Sequence, residues 1–128
     1  MYEEPDQFDA SLIDTEQIEM LIEAGASESM ELVRELLDLY EGESRQKLDD
    51  LKAHAATADY EAMGRSAHAL AGSSANVGGK LVWKMAKQME NDCKEGRGET
   101  AAQAIQTLKA THDKTLIALR AFLDQAER

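Results

Sequence analysis

The sequence predicts an all-α protein, an antiparallel four-helix bundle with a short additional N-terminal helix. Only one proline occurs in 128 residues, and residues of high helix propensity dominate the composition. Apolar residues recur at helical spacing, whereas no segment shows the alternation of a strand. The predicted connections are short, so consecutive helices should pack antiparallel. We expect a loose leader at residues 1–10 and one bundle domain at 11–126.

The first predicted helix is short and the second is long. Asp14 is a favourable N-cap for the first helix, which should end at Gly25. Ser27 is placed to cap the second helix, whose apolar positions continue to Ala55. Gly42 lies inside that second helix and costs about 1 kcal/mol relative to alanine. The sequence therefore allows a kink or a break at this glycine.

Three further helices complete the predicted bundle. Asp59 is placed to cap a third helix over about residues 60–77, which a Gly-Gly pair ends. A fourth helix carries an apolar stripe that reaches Cys93, and a fifth is predicted over about 99–125. The stripe of the third helix has the 3-4-3-4-3 spacing that is typical of a bundle seam. Its members are Tyr60, Met63, Ala67, Leu70, Ser74 and Val77.

The charge balance argues against several classes of partner. The chain has 25 acidic and 14 basic residues, a net charge of −11, which argues against nucleic acid and against anionic membrane surfaces. No apolar run is long enough to span a bilayer, and the acidic opening residues are unlike a signal peptide. Cys93 is the single cysteine, so no internal disulfide is possible. We expect a cytoplasmic monomer.

His68 is the candidate reactive side chain. On a helical wheel it lies roughly 130° from the centre of the apolar seam, so it should face solvent. Exposed helix positions usually carry long polar side chains, and mid-helix glycine is costly. A strip of small residues around an exposed imidazole therefore indicates a surface that a partner approaches closely, although most surface histidines are only solvated. The candidate docking residues on this helix are Gly64, Arg65, Ala69, Gly72 and Ala75.

The other two histidines favour structural roles. His112 lies near the centre of the apolar stripe of the fifth helix, which is typical of a hydrogen-bonded core histidine. His54 lies near the end of the second helix, where it can interact with the helix dipole. Neither has a partner at helical spacing that would complete a convincing metal pair. No metal site is predicted.

The fourth helix carries a local excess of positive charge. Lys80, Lys84 and Lys87 share one face, and Trp83 stands beside them, off the apolar stripe. Two interpretations remain open: a solvated basic face, or a face that flanks His68 and attracts an acidic partner. Trp83 is equally well explained as a docking anchor and as a residue packed between helices.

The stretch Ala67–Gly79, AHALAGSSANVGG, resembles the signature of histidine-containing phosphotransfer (HPt) domains, which reads roughly A-H-x-L-K-G-S-x-x-x-L/V-G-A. The order of elements over residues 12–123 is also similar to that family. The resemblance implies a phosphoryl carrier of a two-component phosphorelay, in which His68 is phosphorylated and Gly72 admits the partner. One position departs from the pattern, because the lysine expected three residues after the histidine is Ala71.

The resemblance also implies the partners. These are the receiver domains of response regulators and a hybrid histidine kinase, with Mg²⁺ held by the receiver and no cofactor on this chain. Because position 71 lacks the lysine, we expect Arg65 to replace its charge, with Lys84 as a second contributor and Ala71→Lys as a restoring change. An autonomous kinase is disfavoured because no nucleotide-binding loop is present. An HPt-like scaffold that binds receiver or kinase domains without being phosphorylated remains an alternative.

Overall fold

The computed structural model describes residues 11–25 and 30–127, which form six α-helices and no strand within those ranges. The predicted leader at 1–10 and the predicted Ser27 cap lie outside these residues. Four helices contact one another in a closed ring, α2–α3–α4–α6, so the all-α bundle prediction is confirmed. The helices are α1 (Thr15–Gly25), α2 (Glu31–Ala56), α3 (Tyr60–Asn76), α4 (Lys80–Lys94), α5 (Gly98–Gln103) and α6 (Ile105–Ala126).

Helix α1 begins where the sequence predicts. The Asp14 carboxylate accepts a hydrogen bond from the backbone N–H of Gln17 at 3.2 Å, as an N-cap does. The backbone of Asp14 also donates to the carbonyl of Gly78 at 2.8 Å, and the N–H of Leu81 donates to the carbonyl of Leu12 at 3.3 Å. These bonds fasten the start of α1 to the connection between α3 and α4.

Helix α2 is continuous, so the break that Gly42 allowed does not occur. The apolar face of α2 packs along the whole bundle, and this burial outweighs the propensity cost of a single glycine. Ion pairs to α6 further fix the alignment of the two helices. They join Arg34 to Asp124 at 2.9 Å and Arg120 to Glu41 at 2.8 Å.

Helices α3 and α4 form an antiparallel hairpin that carries the candidate site. The Asp59 carboxylate caps α3 by accepting from the N–H of Ala62 at 3.2 Å, as predicted. The turn at Gly78 has a φ of +84°, a left-handed conformation that favours glycine. The facing pairs His68–Glu90 and Gly64–Cys93 define the register of the hairpin. In this register Ala71 lies level with Lys87, and Ala75 lies level with Trp83.

The predicted fifth helix is two helices. Helix α5 ends at Gln103 and α6 begins at Ile105, with a turn at Ala104 whose N–H donates to the carbonyl of Ala101 at 3.1 Å. Both alanines are buried, because the turn lets α5 pack on α4 while α6 runs along α2. Alanine is the best helix former, so the prediction of one continuous helix followed local propensity, which the packing overrides.

The core consists of two apolar clusters separated by a buried polar layer. One cluster, with Leu70 and Met89 at its centre, lies beneath the outer surface of the α3–α4 hairpin. The other, with Leu37 and Leu119, lies at the opposite end of the bundle. Between them along α2, α3 and α6 are the fully buried polar residues Ser44, Ser74, Thr111, His112 and Thr115. No helix in the described part of the chain is long and apolar enough to cross a membrane.

Candidate functional site

His68 lies on the outer face of α3, and its side chain is 69% exposed. The small residues predicted around it, Ala69, Gly72 and Ala75, are exposed as well. A Cβ atom at Gly72 would meet no atom within 4 Å, so this part of α3 is an open, nearly flat surface. The helical wheel therefore placed the imidazole and its strip of small residues correctly.

The imidazole is held from the neighbouring helix by Glu90. His68 Nδ1 lies 2.9 Å from Oε2 of Glu90, whose side chain is only 5% exposed. The carboxylate can only accept, so Nδ1 carries the hydrogen and donates it. This arrangement selects one tautomer and leaves the lone pair on Nε2, which makes no hydrogen bond with the residues that the structure describes.

Two lysines of α4 neutralise the buried carboxylate. Lys87 Nζ lies 3.2 Å from Oε1 of Glu90, and Lys94 Nζ lies 3.0 Å from Oε2. Burial acts to raise the pKa of Glu90, but the hydrogen bonds from Lys94 and Lys87 and the contact with His68 outweigh it and lower the pKa overall. Glu90 is therefore ionised at neutral pH and accepts from three donors at once.

Glu90 is not among the residues that the sequence predicted for the site. It sits at the edge of the apolar stripe of α4, four residues after the buried Ala86, and has lysines three residues before it and four residues after it. A carboxylate at the edge of a core, bracketed by two bases on its own helix, is the signal that was available. Its pairing with His68 joins positions 22 residues apart and depends on the packing of two helices.

Gly64 does not lie on the exposed surface where the sequence predicted it. It is buried, not part of the exposed strip, and a Cβ atom there would lie 3.2 Å from Cβ of Cys93. The missing side chain allows α3 and α4 to approach closely, which brings His68 within reach of Glu90.

Burial raises the pKa of the Cys93 thiol, with a further contribution from Asp92, so the thiol is protonated at neutral pH.

The other predicted docking residues are exposed. Arg65 is 69% exposed and pairs with Glu61 at 3.2 Å, so its charge is partly satisfied away from the imidazole. Trp83 is 39% exposed and lies on the same face of α4 as Lys87, one turn further from Glu90. Lys84 is exposed but lies roughly 120° around α4 from Glu90. The structure therefore brings Trp83 to the rim of the strip and leaves Lys84 on another face.

A groove of about 620 Å³ runs beside the imidazole between α3 and α4. Its floor is formed by the close approach at Gly64, and its walls carry charge of both signs. Its lining residues are Tyr60, Glu61, Gly64, Arg65, His68, Glu90, Cys93 and Lys94.

The remaining histidines lie away from this surface. His112 is fully buried in the polar layer of the core, as predicted, where Nδ1 contacts Asp113 at 3.0 Å. Burial lowers the pKa of His112, although Asp113 acts in the opposite direction, so the ring is neutral at neutral pH. His54 is half-buried in the last turn of α2, the predicted position near the negative end of the helix dipole. Of the three histidines, His68 is thus the most exposed.

Comparisons with known proteins give one matching family model and two similar folds. The sequence model of the Hpt domain matches residues 35–128. No curated protein matches the chain by sequence. Among solved structures, the chain resembles histidine-containing phosphotransfer protein B (HptB) from Pseudomonas aeruginosa PAO1, with a TM-score of 0.76 and 21% identity, over 91% of this chain and 98% of that one. A rice protein assigned as a histidine-containing phosphotransfer protein gives a TM-score of 0.71 and 20% identity, over 95% and 90%.

Proposed function

Because the chain belongs to the Hpt domain family, whose members transfer phosphoryl groups in phosphorelays, we propose that His68 is the residue that carries the phosphoryl group here. One observation carries the proposal: Glu90 holds Nδ1 of an exposed imidazole at 2.9 Å, while Nε2 has no hydrogen bond to any of the described residues. One oriented nucleophilic nitrogen thus stands beside the strip of small residues on α3, an arrangement that suits a phosphoryl acceptor.

The transfer itself needs little from this chain. The Nε2 lone pair attacks the phosphorus of an aspartyl phosphate, the N–P bond forms, and the P–O bond to the aspartyl carboxylate breaks with its electron pair going to that carboxylate. The hydrogen on Nδ1 stays in place, so the phosphorylated ring is positive and pairs with the Glu90 carboxylate. The reverse sequence returns the phosphoryl group to a second receiver.

The strip of small residues supplies access for the receiver. An in-line transfer brings the aspartate of the partner within bonding distance of Nε2, so the side chains of α3 that the partner covers must be short. Ala69, Gly72 and Ala75 meet this requirement, and Trp83 at the rim offers an apolar anchor. We infer that the acidic pocket and the Mg²⁺ belong to the receiver, that this chain acts as a cytoplasmic monomer, and that it has no kinase activity of its own.

The proposal is tested by phosphotransfer from a phosphorylated receiver domain in the presence of Mg²⁺. The wild-type chain should gain an acid-labile phosphoryl group, and His68→Gln should gain none while keeping its helical circular dichroism. His54→Gln is the matched control and should be labelled normally. If wild-type protein binds the receiver without labelling, the chain is a scaffold; if His54→Gln abolishes labelling, His68 is the wrong residue. Profiling against all receivers of the source organism then identifies the partner.

A further inference from the structure

The buried carboxylate of Glu90 organises three donors around the candidate phosphoryl site. It accepts from His68 Nδ1 and Lys94 Nζ through Oε2 and from Lys87 Nζ through Oε1, at 2.9, 3.0 and 3.2 Å. Glu90 is 5% exposed, whereas the lysine side chains are 44% exposed at position 87 and 68% at position 94. The carboxylate is therefore an inner anchor, and the two ammonium groups lie at the surface beside the ring.

The two lysines bracket the imidazole along the helix pair. They lie three residues before and four residues after Glu90, so each is about one helical turn from the level of His68. Lys87 is level with Ala71 on the facing helix, the position where the resemblance led us to expect a lysine. Lys94 lines the groove that contains His68. The positive charge that a lysine at position 71 would have placed on α3 is thus supplied by Lys87 on α4, at the same level along the helix pair.

The charge balance of this cluster suits a phosphoryl group. Two ammonium groups and one carboxylate leave a local charge of +1, to which the phosphorylated ring adds a second positive charge, in a chain whose net charge is −11. A phosphoryl group adds about −1.5 to −2. Without the lysines, only the positive ring would offset the repulsion between the phosphoryl group and the ionised, nearly buried carboxylate. We propose that Lys87 and Lys94, held in place by Glu90, are the counter-charges of the phosphoryl group on His68.

This inference rests on the proposed function. It assigns the counter-charge to the lysines of α4 instead of to Arg65 and Lys84, the cations that the sequence predicted. Arg65 pairs with Glu61, and both side chains are largely exposed, so water screens the remaining charge. Lys84 lies on a different face of α4 from Glu90. Lys94 should contribute most, because it borders the groove at the ring and is exposed enough to turn from the carboxylate to the phosphoryl oxygens.

The test measures the ionisation of the phosphoryl group itself, which a purely structural role of the lysines would not change. The protein is loaded with phosphoramidate, so that the N–P bond to His68 forms while the P–N bond of the donor breaks and ammonia leaves. The pKa of the phosphoryl group is then read from its ³¹P chemical shift between pH 5.5 and 8.5. Nearby cations favour the dianion, so their removal should raise this pKa.

We expect Lys94→Gln to raise the pKa of the phosphoryl group by roughly 0.5, and the double variant with Lys87→Gln to raise it further. Lys94→Arg should restore the wild-type value, and the effects should shrink at high salt. Lys80→Gln is the matched control, because it removes the same charge from the same helix about 15 Å from Glu90. Arg65→Gln should have a smaller effect than Lys94→Gln.

The outcomes separate this inference from the proposed function. If wild-type protein is labelled but the phosphoryl group has the same pKa in the double variant as in Lys80→Gln, then Lys87 and Lys94 are not the counter-charges. The carrier function stands in that case. If Arg65→Gln shifts the titration more than the double variant, the counter-charge is on α3. If wild-type protein takes no phosphoryl group from phosphoramidate or from any receiver, the carrier function fails and this inference with it.

Discussion

Ser44 of α2 and His112 of α6 meet inside the bundle, where the serine Oγ lies 2.5 Å from the histidine Nε2. Both residues are fully buried. Because Asp113 accepts from Nδ1 of the neutral ring, the Ser44 hydroxyl donates to Nε2. The contact links two helices through the polar layer between the apolar clusters, and it couples the charge of His112 to the stability of the fold.

We therefore expect stability to fall in mildly acidic solution. Burial lowers the pKa of His112 in the folded state, so below about pH 6.5 the unfolded chain binds a proton that the folded chain does not. Stability is complete above that pH and decreases as the pH falls through it. Urea unfolding at pH 8 and at pH 5.5 measures the difference, with His68→Gln as the control that keeps the buried ring. The prediction fails if His112→Gln has the same dependence on pH as wild type in this range.

Gly72→Gln should raise the stability of the fold while lowering the rate of phosphotransfer. The position is exposed, and a Cβ atom there meets nothing within 4 Å, so the change should stabilise α3 by up to about 1 kcal/mol. The long side chain should nevertheless block the receiver and slow phosphotransfer at least ten-fold. Gly42→Gln is the matched control, since this mid-helix glycine of α2 is equally open, and it should stabilise the protein without slowing transfer. Equal transfer rates in the two variants would show that the strip is not the docking surface.

Ala71→Lys should not act as a restoring change, contrary to the expectation from the sequence. Ala71 is 1% exposed in the apolar cluster beneath the hairpin, and Lys87 already lies at its level on α4. The new side chain must bend out of the core past a like charge, so we expect a loss of about 1–3 kcal/mol in urea unfolding. Ala75→Lys adds the same charge at an exposed position of α3 and should cost little. Equal free energies of unfolding for the two variants would contradict the burial of Ala71.

Gly78→Ala should loosen the attachment of α1. The residue has a φ of +84°, and a Cβ atom would lie 2.8 Å from Cγ1 of Ile18 and 2.9 Å from the carbonyl oxygen of Asp14. Gly96→Ala is the control, because its φ is +80° but nothing lies within 4 Å, so it should lose only about 1–2 kcal/mol. Thermal unfolding should show the larger loss for Gly78→Ala. Similar losses would mean that contact with α1 adds nothing at this turn.

Local patterns determined most of the helices and the exposed side of the site. The caps at Asp14 and Asp59 and the turn at Gly78 depend on neighbouring residues, so the sequence predicted where α1 and α3 begin and where α3 ends. The helical wheel placed His68 and Gly72 outside and His112 inside, because helical periodicity alone decides which face a residue occupies.

Packing between helices decided the rest. Ala104 forms a turn although alanine favours helix, and α2 continues through Gly42 although glycine disfavours it, because burial of apolar faces outweighs about 1 kcal/mol of propensity. Gly64 is buried because α4 approaches α3 at Cys93, a contact that α3 alone cannot reveal.

The features of the site also fall into those set by the sequence of one helix and those set by packing between helices. The sequence by itself determined which imidazole is exposed and that its surroundings are small, since both follow from positions on one helix. Only the tertiary structure decided that Glu90 holds Nδ1 and that Lys87 and Lys94 neutralise that carboxylate beside the ring. The reason is physical: a hydrogen bond of 2.9 Å between two helices depends on their separation and register, and side chains along the entire interface set both.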